Sequence, residues 1–161
     1  MTLWLRSVGF ALLLPGSVLV WVPLVLTSGE HADIGLGPLR WLGLPLVALG
    51  AAGLLWCIVD FARRGRGTLA PVDPPQFVVR SGLYRVTRNP MYVAVLVTLV
   101  GETLLADTIR LAVWTLLVAV TVHLFVVLYE EPTLRRQFGE PYVAYAATVP
   151  RWLRPPGRRA P

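Results

Sequence analysis

The stretch LAVWTLLVAVTVHLFVVLYEEPTLRRQFGEPYVAY, residues 111–145, decides the fold. From Leu111 to Tyr129 it carries no charge, a run about long enough for a helix to cross a hydrocarbon core of roughly 30 Å. Where such a helix should leave the membrane come two carboxylates, Glu130 and Glu131. A helix C-terminus carries partial negative charge, so acidic groups there are disfavoured by about 0.3 to 1 kcal/mol each. Something cationic is expected beside them.

Outward from this stretch the pattern repeats. Ser7 to Gly29 and Trp41 to Val59 hold no charge, and Asn89 to Ala106 is interrupted only by Glu102. With 55% hydrophobic residues and a mean hydropathy of +0.63, the apolar side chains come in long runs rather than alternating, which suits lipid rather than water. The expected fold is all-α: a polytopic membrane protein with four transmembrane helices plus short C-terminal amphipathic helices. A cleaved signal sequence is the competing reading of the first run, but that run is longer than an ordinary signal core and no small-residue cleavage site follows it.

The net charge of +6 does not imply nucleic acid, because the arginines are distributed by loop. Arg63, Arg64, Arg66, Arg80, Arg85 and Arg88 lie between the second and third runs, and a further group from Arg135 to Arg159 follows the fourth. The other loops hold only Arg40 and Arg110. The excess of basic residues beside cytoplasmic loops places both termini and the 63–91 loop on the cytoplasmic side, here of a bacterial cell membrane. Residues 1–62 are expected to be scaffold helices, 63–91 a basic interfacial loop, 92–153 the last helical pair with a C-terminal segment, and 154–161 a disordered tail.

Within the scaffold, Gly43, Gly50 and Gly53 allow close helix approach. Asp60 is expected to pair with Arg63 or Arg64, and Cys57, the sole cysteine, to pack. After the fourth run Pro132 can open a new helix, Gly139 and Pro141 break it, and a second short helix runs to Pro150.

A hairpin of the last two runs brings Arg88, Asn89, Pro90 and Tyr92 to the membrane depth of Glu130 and Glu131. Asn89 and Pro90 also read as an ordinary helix start. The acidic pair also reads as an ion-pair lock onto Arg85 or Arg88, or onto Arg135 if the helix continues. Glu102 and His123 lie deeper: Glu102 is expected to be protonated or bonded to Thr98 or Thr103, His123 to be neutral and hydrogen-bonded. No set of His, Cys and carboxylates has metal-site spacing.

GLYRVTRNPMY, followed across two apolar runs by YEEPTLRRQFGEPYVAYAATVPRW, resembles the isoprenylcysteine carboxyl methyltransferase family and its phospholipid methyltransferase relatives. That pattern has Arg-His-Pro-x-Tyr-x-Gly opening one helix, a Glu pair leaving the next, then Leu, Phe-Gly and two tyrosines before Val-Pro. Here Asn89 replaces the His and Ala94 the Gly. The resemblance implies S-adenosyl-L-methionine bound at Tyr84, Arg88, Asn89, Tyr92, Glu130 and Glu131, with Arg88 and Glu131 acting on the reaction. The Glu pair would supply negative charge to a ligand carrying an ammonium and a sulfonium. The acceptor implied is lipophilic, a small molecule or a lipid of the membrane. Two other readings are a sterol-reductase-like enzyme using NADPH and a non-enzymatic membrane subunit.

Overall fold

A computed structural model of the protein describes residues 16–29, 33–64 and 82–153. The first half of the first apolar run, the loop over 65–81, the tail from 154 and the side chains of Arg63 and Arg64, expected partners of Asp60, lie outside the described residues. The described chain is helical with short connections, and its one extended feature is an isolated bridge between Asp33 and Thr108.

Helix α1, Ser17–Thr27, opens with a wide π turn over Ser17–Trp21, in which the Val22 N–H donates to the Ser17 carbonyl. Proline explains the turn. In an ordinary register the Leu19 carbonyl would receive the N–H of residue 23, which Pro23 lacks, and the proline ring would crowd that carbonyl; widening the turn relieves this and frees the Val18 carbonyl. The Trp114 indole N–H donates to that carbonyl instead, at 3.2 Å, tying α1 to a later helix. A 3-10 turn over Gly37–Leu42 leads into α2, Gly43–Arg64.

After the short 3-10 turn Gly82–Arg85 comes α3, Pro90–Ala106, with Asn89 preceding it and Pro90 in its first turn. It ends at Asp107, whose backbone is left-handed at φ 53°, a conformation Asp tolerates better than most side chains. The turn is held from outside: the Asp107 carboxylate accepts the Leu36 N–H at 3.1 and 3.2 Å, and its carbonyl accepts the Ile34 N–H at 2.9 Å. Helix α4, Ile109–Phe125, then returns antiparallel to α3.

Helices α2 and α3 pack backbone to backbone. A Cβ on Gly43 would collide with the Gly101 carbonyl, one on Gly50 with Thr98, and one on Gly101 would sit 2.7 Å from the Val47 nitrogen. Two of the expected glycines thus make the approach, with Gly101 as their counterpart. Between α3 and α4 the core is Val95, Leu99 and Val118, flanked by Trp114 and Val122.

The helices Gly37–Asp60 and Ile109–Phe138 are long and apolar enough to cross a membrane, and only 17% of the apolar window of each is buried. Leu55, Leu116 and Leu128 are more than 60% exposed. In water such faces would be a liability; in hydrocarbon they are the natural outer surface. Of the expected four spans, these two meet the length requirement. Helix α3 has 17 residues, about 25 Å at 1.5 Å per residue.

The expected break at the Glu pair does not occur. Helix α4 continues through a π turn, Val126–Glu130, into α5, Glu131–Phe138, as one apolar-to-polar helix of 30 residues. The reason repeats that of α1: the Glu131 N–H donates to Val126, and Pro132, second in the following segment, lacks the donor an ordinary register would need. The carboxylates therefore do not face a helix C-terminus. Gly139 at φ 60° ends α5, and α6, Glu140–Thr148, stops before Pro150, as the proline and glycine positions predict.

Candidate functional site

The start of α3, the junction of α4 with α5, and the segment after α6 meet at one end of the hairpin. The two carboxylates there have different partners.

Glu131 is buried and fully engaged. Arg88 Nη1 lies 3.0 Å from its Oε1. Arg151, 20 residues further along the chain, donates from Nε to Oε1 at 2.6 Å and from Nη2 to Oε2 at 2.9 Å. A forked guanidinium matched to a carboxylate is among the strongest charge-assisted pairs. It also holds the Arg151 guanidinium above its already high pKa, chiefly through its hydrogen bonds to Glu131. Arg88 Nη1 reaches the Tyr142 hydroxyl at 3.4 Å, whereas its Nε is buried without a partner among the described residues.

The same arm is tied down by backbone. The Arg88 N–H donates to the Pro150 carbonyl at 2.9 Å, and the Arg151 carbonyl accepts from Asn89 Nδ2 at 2.9 Å and Thr87 Oγ1 at 3.0 Å. Asn89 thus occupies the position of a helix cap without capping: its side chain binds the incoming strand of chain, not the first turn of α3.

Glu130 faces the other way. Its Oε2 accepts the Tyr92 hydroxyl at 3.0 Å, and among the described residues no cation is paired with it. Tyr84 completes this half. Its carbonyl accepts the Tyr145 hydroxyl at 2.7 Å, and its phenol is pushed well above the usual tyrosine range by burial, then by the nearby Cys57 and Glu130. Burial likewise raises Tyr142, with Arg88 opposing it.

The residues singled out in the sequence therefore converge, in two groups: Glu131, Arg88 and Asn89 in an ion-paired clamp, and Glu130, Tyr92 and Tyr84 in a cluster of one carboxylate and two phenols. The expected lock onto Arg88 is present, on Glu131. Arg151 and Thr87 escaped notice. The available signal for Arg151 was the need for a cation beside the Glu pair, with an arginine directly following Val-Pro.

Ala94 turns toward α2, where a Cβ on Gly53 would meet its methyl at 3.4 Å. Of the deeper candidates, Glu102 bonds neither threonine: Thr98 donates to the Ala94 carbonyl and Thr103 to that of Leu99, and Glu102 Oε2 is buried with no partner among the described residues. His123 Nδ1 accepts the Trp152 indole N–H at 3.2 Å, with the rings stacked 6.0 Å apart.

A family model described as phospholipid methyltransferase matches residues 39–141, from the turn before α2 to the start of α6, including every sequence-derived candidate but not Arg151 or Trp152. No curated protein and no solved structure matches the chain.

Proposed function

The chain belongs to the phospholipid methyltransferase family, and from that premise we propose that it is an S-adenosylmethionine-dependent enzyme that methylates a lipophilic acceptor at the cytoplasmic face of the membrane. Supporting the reading is one observation above others: a half-buried carboxylate, Glu130, whose polar partner among the described residues is the neutral donor Tyr92. A carboxylate partly withdrawn from water and held by a single neutral hydrogen bond is favoured by the arrival of a cation. A ligand bearing a sulfonium and an ammonium supplies one, and the orphaned Arg88 Nε offers an N–H to its carboxylate.

The bound donor would supply an electrophilic methyl group. The protein's own part is to bind, align and exclude water, since in-line displacement at a methyl carbon needs no covalent help from a side chain. Glu130 and Tyr92 would hold the positive end, Tyr84 would stand beside it, and Asn89 fixes the segment at Arg151. Glu131 is occupied on both oxygens, so its role, and much of that of Arg88, is positioning. An ionised carboxylate or thiolate acceptor, as in an isoprenylcysteine, needs no base; a lipid headgroup amine must first be neutral.

In this reading all four apolar helices cross the membrane, with both termini and the 63–91 loop cytoplasmic. Thermal unfolding in detergent separates the classes of function. S-adenosylhomocysteine should raise the midpoint and NADPH should not; a shift with NADPH alone would favour the reductase reading, and a shift with neither the non-enzymatic subunit.

A further inference from the structure

The outer side of α6 is apolar, although protein covers only its inner side. Tyr142 and Tyr145 are buried, and their hydroxyls are engaged, one with Arg88 Nη1 and the other with the Tyr84 carbonyl. The other side presents Val143, 45% exposed, with Ala144 and Ala147 exposed near it. A helix that is apolar all round needs apolar cover all round. Hydrocarbon supplies the missing half if α6 lies against the bilayer.

The two ends of α6 place it there. Because α5 continues the spanning helix without a break, Gly139 stands about 13 Å beyond Glu130 at 1.5 Å per residue. At the far end of α6 the Pro150 carbonyl accepts the N–H of Arg88, just before the first turn of α3. The helix therefore slopes back toward the membrane, across a headgroup layer about 5–7 Å thick.

Exposed arginines stand at the same end. Arg135 and Arg136 occupy the last turn of α5 and Arg85 the 3-10 turn, and the exposed acid near them among the described residues is Glu140. Arg135 closes no ion pair with Glu131, whose partners are Arg88 and Arg151. Arg136 spends Nε on the Pro132 carbonyl at 3.3 Å, which leaves its two terminal nitrogens for other acceptors. The dipole of α5 favours cations in this turn but does not call for an apolar face on the neighbouring helix. An anionic bilayer surface suits both.

We propose that α6, the last turn of α5 and the turn at Arg85 form a docking surface for anionic phospholipid headgroups of the surrounding membrane: Val143, Ala144 and Ala147 rest on the acyl boundary, and Arg85, Arg135 and Arg136 take the phosphates. These lipids are held as a surface and not as methyl acceptors. A second copy of the chain would also cover Val143, but it would bring more arginines to a face already short of anions. Since the inner side of α6 carries Tyr142 and Tyr145, the docked surface backs the side chains that contact Arg88 and Tyr84.

The test is electron spin resonance of the full chain in phosphatidylcholine nanodiscs at low salt, with spin-labelled phosphatidylglycerol or phosphatidylcholine as the probe. Phosphatidylglycerol should associate roughly threefold or more strongly, and about 0.5 M salt should erase the difference. The double variant Arg135→Gln, Arg136→Gln should lose most of this preference with its unfolding midpoint unchanged, while Arg110→Gln, at the opposite end of the hairpin, keeps it. A nitroxide on Val143→Cys should meet oxygen more readily than an aqueous nickel chelate. Equal affinity for the two lipids, an equal loss in Arg110→Gln, or free access of the chelate to the Val143 label would overturn the proposal. So would displacement of the lipid by soluble glycerol phosphate, or a dimer that shields the label. None of these readouts involves S-adenosylhomocysteine, so the docking surface and the cofactor assignment fail separately.

Discussion

Arg151 covers both oxygens of Glu131, Nε on one at 2.6 Å and Nη2 on the other at 2.9 Å, and so fastens the chain beyond α6 to the junction of α4 and α5. Removing one member of a buried pair strands the other. Arg151→Ala should cost about 2–3 kcal/mol, below the 3–5 kcal/mol of fully buried pairs because Arg151 is partly exposed, and Arg151→Lys, with charge but no fork, roughly half that. Thermal unfolding in detergent reads both; equal stability of Arg151→Ala and wild type would show the clamp to be ornamental.

The two glutamates should separate experimentally. Glu131→Gln is expected to lower the unfolding midpoint while the protein that remains folded still binds S-adenosylhomocysteine. Glu130→Gln should leave the midpoint unchanged or higher, and weaken S-adenosylmethionine at least tenfold, about 1.4 kcal/mol, with less effect on the uncharged thioether product. Calorimetry with both ligands decides it: equal losses would remove the charge argument.

Tyr92→Phe deletes the hydroxyl that donates to Glu130. A hydrogen bond to a charged group contributes about 1.5–3 kcal/mol, so a loss of roughly ten- to hundredfold in donor affinity is expected. Unaltered binding would mean that Glu130 does not depend on its phenol partner.

Asn89 stands where the related pattern has His, and its measurable duty is an N–H given to the Arg151 carbonyl at 2.9 Å. An imidazole can donate the same bond. Asn89→His should therefore preserve stability within about 1 kcal/mol, whereas Asn89→Leu should lose about 1 kcal/mol by leaving a part-buried carbonyl with Thr87 as its remaining donor. Limited proteolysis after Pro150 should accelerate in the leucine variant alone.

At the α2–α3 contact, Gly101→Ala places a methyl 2.7 Å from the Val47 nitrogen, which a helix backbone cannot vacate. A destabilisation of about 1–3 kcal/mol is expected, typical of overpacking, against near neutrality for Gly53→Ala, where the new methyl would meet Ala94 at 3.4 Å. Unfolding midpoints of the two variants, side by side, give the comparison.

The amino-acid sequence by itself determined the helical architecture, because long apolar runs, glycines and prolines act locally: α3 starts at Pro90, α5 ends at Gly139 and α6 stops before Pro150. It also brought Arg88, Asn89 and Tyr92 to Glu130 and Glu131, since a two-residue turn leaves an antiparallel pair little freedom. Only the tertiary structure decided which carboxylate is neutralised. Ion pairing depends on side-chain direction and on chain returning from a distance: a π turn sets Glu131 toward Arg151 and Glu130 toward Tyr92, and no spacing along the chain encodes that choice. The continuation of α4 through Pro132 was equally illegible, because a proline that would break an ordinary helix is accommodated once one turn widens ahead of it.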